Sequence, residues 1–409
     1  MQLIDNPGEN AYKTFPGPIL LLAGPGTGKT HQLALRTKYL IEELEVEPSE
    51  IAVITFTNEA ARNMRDKLND PKINLPKEKH PEIIATMHKL GNMIIGSNYS
   101  QFGLEEDYQV LPDALRPVIL GDAASIAGYV RSDADLTEEC RRKGNCIVDA
   151  ASKICQICDE YKKILRKCSC VDYDDQMLLA CESLRTNAVL KKTWQDKAKY
   201  LLVDEYQDIN QAQCELIQLL TDGQTEGLFT VGDDDQSIYS FRGGSPKYIK
   251  QFEEYFGEDF RLGPLSISWR CPEHILKGAK AMVAGYYMGV HKPVPTFNEK
   301  IKVNNKIVFY DVPSDKYEAW LISKIAKEKM ESGDEVTVII PHGKYLPALK
   351  EAFKRAGIDY KYKAKLDNEG LSRFTILADW AENPEDNLKL RYLLDLIVNS
   401  YDTLTKQIE

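Results

Sequence analysis

The 409-residue chain is 43% hydrophobic and 28% charged, which suits a soluble protein of about two to four domains. Its formal net charge of −10 excludes a global field that gathers polyanions, so any nucleic-acid binding falls to local basic patches. No run approaches the roughly 18 apolar residues of a membrane span, and nine cysteines without an apolar leader segment point to a reducing, cytoplasmic setting.

Alternating strands and helices are predicted first. The apolar run Ile19–Leu22 reads as a strand, and Lys29–Glu43 as a helix in which Leu33, Ala34, Leu40 and Ile41 recur at helical spacing. Ile51–Thr57 reads as a buried strand, Asn58–Leu68 as a helix, Ile83–Thr86 as a short strand and Leu90–Ile95 as the core of a helix. This alternation predicts a parallel sheet with crossover helices. From about Ser97 to Thr186 strand signals vanish, and Ile147, Ala151, Ile154, Cys158, Tyr161 and Leu165 share one helical stripe, which predicts a helical insertion. Strands return at Tyr200–Val203, Leu228–Val231 and Leu265–Ser268. A second α/β segment follows, with strands at Lys306–Val312 and Val336–Pro341, helices at Lys316–Met330 and Tyr345–Ala356, and a helical tail over Asn387–Glu409.

Two stretches carry chemistry. Ala23-Gly24-Pro25-Gly26-Thr27-Gly28-Lys29-Thr30 lies between a strand and a helix, the context in which glycines turn backbone N–H groups around phosphate oxygens at a helix N-terminus. Lys29 is placed to reach the β/γ-phosphates and Thr30 to hold a Mg²⁺; Ala23 replaces the usual first glycine. The second stretch, Val203-Asp204-Glu205-Tyr206-Gln207-Asp208, ends a strand in acid. Asp204 is suited to hold the Mg²⁺ through its water shell and Glu205 to take a proton from the attacking water.

Together, AGPGTGKT, ITFTNEAARNM, ATMHKL, LLVDEYQD and VGDDDQSIYSFRGG resemble the UvrD/Rep/PcrA helicases of superfamily one, in the family's motif order. The resemblance implies an α/β fold of two RecA-like domains with ATP between them. By that reading, residues 1–97 and 187–265 form the first ATP-binding domain and 98–186 a helical insertion. Residues 266–386 form part of a second RecA-like domain, and 387–409 begin a second insertion or a C-terminal helix. It also implies ATP and Mg²⁺ as cofactors, 3′-to-5′ movement on single-stranded DNA, and DNA-repair proteins as partners.

Residue by residue, the resemblance carries Gly24, Gly26, Thr27, Gly28, Lys29 and Thr30 onto the family's phosphate loop. It makes Gln236 the γ-phosphate sensor and Gln207 a nucleotide-contacting amide. Ser268-Trp269-Arg270-Cys271 resembles the family's Asn-Tyr-Arg-Ser motif, so Trp269 is expected on the adenine and Arg270 as an arginine finger. Phe56, Thr57, Asn58, Thr86, His88, Tyr239, Phe241 and Arg242 are expected to contact DNA by stacking and phosphate binding. For each aromatic, core packing is the competing reading.

The chain departs from the family pattern in three places. The adenine-reading glutamine has no clear counterpart near Gln2, and His31 stands where relatives carry arginine. The last two family motifs are absent before Glu409, so impaired turnover is expected of this chain. A different class, a nucleotide-switched binding module without unwinding activity, fits the same motifs. Seven of the nine cysteines lie between Cys140 and Cys181, a grouping open to a metal site or to plain burial.

Overall fold

Ile19–Ala23 is buried along its whole length because its sheet is covered on both faces. Leu20 and Leu22 enter one core with Ala52, Ile54, Leu201, Val203, Leu216 and Phe252. Ile19, Leu21 and Ala23 enter the other with Leu33, Leu40, Val53, Met64 and Leu202. Alternate residues point to opposite faces, so a continuous apolar run serves both layers.

The structure, a computed structural model, describes residues 1–113, 115–143, 151–240, 243–283, 296–298, 306–361, 377–378, 380–384, 386 and 388–395. It divides into two units, Met1–Asn304 with Leu394–Glu409, and Asn305–Leu393.

In the first unit the strands in chain order are β1 (Gln2–Leu3), β2 (Ile19–Ala23), β3 (Ile51–Thr55), β4 (Ile83–Thr86), β5 (Gln109–Val110), β6 (Cys170–Val171), β7 (Tyr200–Val203), β8 (Phe229–Gly232), β9 (Arg261–Leu265), β10 (Ile267–Ser268) and β11 (Thr296–Phe297). Seven of them form one parallel sheet in the order β1-β9-β2-β8-β7-β3-β4, with β8 in the middle and β2 beside it. Helices Lys29–Glu42, Asn58–Asn69 and Met87–Gly96 follow β2, β3 and β4, as the alternation predicts. The predicted strand Leu265–Ser268 is instead two. The chain leaves the large sheet at Leu265, and Ile267–Ser268 pairs with Thr296–Phe297.

The insertion is built on helices Arg116–Ile126, Ala134–Lys143, Lys153–Lys167 and Tyr173–Thr186. Ile147 of the predicted stripe lies outside the described residues, whereas Cys158, Tyr161 and Leu165 are buried on one helix face. The insertion is not free of strands: β5 pairs with β6, and two-residue strands are too short to leave a period in sequence. Its core holds charge. Arg141 donates to both oxygens of Asp172 (2.9 and 3.0 Å) and to Asp175 (2.8 Å), Arg166 reaches Asp175 (2.9 Å), and the Tyr161 hydroxyl donates to Asp172 (2.9 Å). Burial alone raises a carboxyl, but Arg141 and Arg116 outweigh it and hold Asp172 below its ordinary value. The described cysteines here are free thiols, and burial pushes Cys170 and Cys181 up to about 12.

In the second unit, helices Asp315–Glu331 and Leu346–Ala356 pack through Ala319, Leu349 and Phe353. The strands predicted at Lys306–Val312 and Val336–Pro341 are not formed. Both segments are apolar enough for strands, but a strand exists only in a ladder, and no described segment pairs with them. Phe309 and Ile339 are each 90% exposed. The predicted helical tail is seen over residues 388–395, and 396–409 lie outside the described residues.

Candidate nucleotide site and nucleic-acid face

Five neighbouring strands run parallel, so their C-terminal ends lie along one edge of the sheet, the place where parallel α/β sheets bind ligands. The Gly-rich loop leaves β2, Phe56 follows β3, Thr86 ends β4, Asp204 and Glu205 follow β7, and Asp233 follows β8.

In the loop, Gly26 (φ 73°) and Gly28 (φ 97°) adopt the left-handed backbone that glycine tolerates, turning the chain back into the helix Lys29–Glu42. A Cβ on Gly26 would lie 2.6 Å from that of Arg270, because the Ser268–Cys271 segment rests on the loop. The buried Ser268 hydroxyl donates to the Pro25 carbonyl (2.8 Å), and the Trp269 N–H donates to the Gly26 carbonyl (2.8 Å). Arg270 is thereby held against the phosphate loop, while the Trp269 side chain is 64% exposed. Ala23 is fully buried in β2, and the Thr27 hydroxyl closes the loop onto the Gly24 carbonyl (2.9 Å). His31 is half-buried, and burial followed by the charges of Lys67 and Lys72 lowers its pKa, so it stays neutral at physiological pH.

The Lys29 ammonium lies 2.8 Å from a Glu205 carboxylate oxygen. Glu205 itself sits at φ 50°, ψ 47°, a left-handed conformation that costs about 1–3 kcal/mol for a residue with a Cβ and is held only where the surroundings insist on it. Its N–H donates to Asp204 (2.9 Å) and the Asp204 N–H to the Ile54 carbonyl of β3 (2.8 Å), so the backbone that carries both carboxylates is tied to the sheet. Burial, then the charge of Glu205, pushes the Asp204 carboxyl up to about 7, against the pull of Lys29. A buried carboxyl made costly to ionise is stabilised by a bound cation. The oxygen donors of Asp204 and Thr30 are of the chemistry that suits Mg²⁺. Among the described residues, the only set of three or more His, Cys, Asp or Glu ligand atoms within 4.8 Å of one another is Asp233, Asp234 and Asp235; the cysteines form no such set.

Gln236 donates to Asp233 at the end of β8. Gln207 is only 1% exposed and is fully engaged by protein groups. Along the same edge the rings of Phe56 and Tyr239 meet tilted by 40°, 4.5 Å between centroids, both half-buried beyond the strand ends. Thr57 and Asn58 are exposed; the Thr57 hydroxyl also caps its helix by accepting from the Ala60 N–H (3.0 Å). Thr86 likewise caps its helix by accepting from Lys89 (3.2 Å). His88 meets the edge of Tyr173 at 5.5 Å. Phe241 and Arg242 lie outside the described residues.

Tyr173, 43% exposed in the helical insertion, escaped the sequence reading. It reaches His88 because Gly91 lets helix Met87–Gly96 approach helix Tyr173–Thr186, a Cβ on Gly91 falling 2.4 Å from the Gln176 carbonyl. Only that glycine hinted at the contact.

Residues 5–257 match the family model described as the UvrD/REP helicase N-terminal domain. The chain is 32% identical to the ATP-dependent DNA helicase Rep of Escherichia coli (strain K12) over 68% of this chain and 43% of that protein. It is 31% identical to the Rep helicase of Buchnera aphidicola subsp. Acyrthosiphon pisum over 87% of this chain and 57% of the relative. The ATP-dependent DNA helicase PcrA of Staphylococcus epidermidis is 26% identical over 94% of this chain and 55% of the relative. The chain spans about half the length of these relatives. With the phosphate loop, paired carboxylates and aromatic edge in the order this family carries them, the chain belongs to the UvrD/REP helicases.

Proposed function

We propose that this chain is the nucleotide-driven motor segment of a DNA helicase, moving 3′ to 5′ along single-stranded DNA at the expense of ATP. The observation that carries the reading is the convergence of Lys29, Asp204 and Glu205 on the sheet edge that also bears Phe56, Tyr239 and His88. Nucleotide chemistry and a stacking surface thus share one rigid support.

In this reading the loop amides and Lys29 bind the phosphates, and Lys29 leaves Glu205 to do so. Glu205 then takes the proton of the attacking water, and Gln236 senses the γ-phosphate. Arg270 stabilises charge on the transferring group, and Trp269 stacks on the base. Thr30 and Asp204 would hold a Mg²⁺, which would supply charge neutralisation at the phosphates. On the DNA side, Phe56 and Tyr239 offer a stacking platform with Thr57, Asn58, Thr86 and His88 beside it, and Phe241 and Arg242 are the further DNA contacts that the family pattern implies. Tyr173 adds an exposed ring from the insertion. A cytoplasmic setting and DNA-repair partners accord with this role; no helix among the described residues is long and apolar enough to cross a membrane.

ATP turnover with and without oligo-dT, beside displacement of a strand from 3′-tailed and 5′-tailed duplexes, tests the proposal. Turnover that DNA stimulates, even at a low rate, supports it, and any displacement should come from the 3′-tailed duplex. Turnover indifferent to DNA favours a nucleotide-switched binding module instead.

A further inference from the structure

Gln207 has every hydrogen-bonding group of its side chain committed between two strand ends. Its amide nitrogen donates to Glu205 (2.8 Å) and, more weakly, to Asp208 (3.4 Å). Its amide oxygen accepts the N–H of Asp233 (2.9 Å). The amide can sit only this way round, because a backbone N–H needs an acceptor and the carboxylates need donors. Its own carbonyl accepts the Ser237 hydroxyl (3.3 Å). At 1% exposure the residue has no open face for a ligand.

Asp233 in turn accepts from the side-chain amide of Gln236. One hydrogen-bonded line therefore runs from the carboxylate of Glu205 through Gln207 and Asp233 to Gln236. Gly232 walls this line, and a Cβ there would lie 3.0 Å from the Gln207 amide oxygen.

We infer that Gln207 is a positioning residue, coupling the placement of the base Glu205 to that of the γ-phosphate-facing amide Gln236, and not a nucleotide contact. The inference rests on the function proposed above. When phosphate takes Lys29 from Glu205, Gln207 is the remaining donor that keeps the carboxylate on the sheet edge. A shift of Gln236 at the phosphate reaches Glu205 through the same line.

The test is steady-state ATP hydrolysis by the full chain with oligo-dT, comparing wild type, Gln207→Met, Gln236→Ala and the double variant. Gln207→Met keeps the side-chain length but removes both halves of the link. It should lower kcat on the order of 10²-fold, the cost of a small misplacement of a reacting group, with KM little changed. In the double variant kcat should fall no further than in the weaker single, because both substitutions cut one line. Should Gln207→Met fail to fold, Gly232→Ala crowds the amide and should lower kcat in the same non-additive way. An active wild type in which the two losses multiply, or in which KM rises with kcat unchanged, overturns the coupling and leaves the proposed function standing. A wild type that hydrolyses no ATP with DNA present overturns the proposed function and the coupling with it.

Discussion

Lys29 and Glu205 form a 2.8 Å ion pair between the phosphate loop and the end of β7, with side chains 13% and 34% exposed. On the proposed function, the cation that claims phosphate is already held by the carboxylate that acts as base, so nucleotide binding would exchange one partner of Lys29 for another and free Glu205 in the same event.

Lys29→Ala removes that cation from the phosphates. Losing a hydrogen bond to a charged group is worth about 1.5–3 kcal/mol, so the affinity for a fluorescent ATP analogue should fall roughly 10- to 100-fold. Unchanged affinity would place the nucleotide elsewhere.

Tyr239→Ala removes one ring of the 4.5 Å pair with Phe56. Oligo-dT binding should weaken by about 1–3 kcal/mol, the usual worth of a base-stacking ring, and nucleotide affinity should hold. Wild-type DNA affinity with a lowered Tm would make the pair a packing contact only.

In the insertion, Arg141 is buried among Asp172, Asp175 and the Tyr161 ring, 4.9 Å away. Arg141→Met leaves the buried Asp172 to the Tyr161 hydroxyl and a more distant Arg116, and Asp175 to Arg166; breaking a buried pair costs about 3–5 kcal/mol. Urea unfolding should show that loss; a change below about 1 kcal/mol would mean the carboxylates find water or another cation.

Burial, then the charge of Glu205, pushes the Asp208 carboxyl up to about 6. An acid raised by folding favours the folded state when protonated, so its contribution is full below about pH 4 and is lost as pH rises through about 6. Asp208→Asn should therefore melt above wild type at about pH 7.5, with the difference closing as pH falls through 6. A gap independent of pH would point to a packing effect.

How legible each part is in sequence depends on whether its determinants are local. β2, β3, β4 and β7 read clearly because burial on both faces writes an unbroken apolar run, and the Gly-rich loop reads clearly because its turn is made within eight residues. Lys306–Val312 misleads because apolar character cannot supply a ladder partner. The protein partners of Gln207 are invisible in sequence because Glu205 and Asp233 arrive on different strands. Tyr173 is missed because its neighbour His88 is brought close by a glycine on another helix.

The division of labour between Lys29 and Glu205 is tested most directly by Glu205→Gln, assayed for nucleotide affinity and for DNA-stimulated hydrolysis in the same preparation. The amide keeps the shape, cannot take a proton, and releases Lys29 from its ion pair. ATP should bind as tightly as to wild type or more tightly, while turnover falls on the order of 10²–10⁴-fold. Turnover equal to wild type would contradict the assignment of Glu205 as the base.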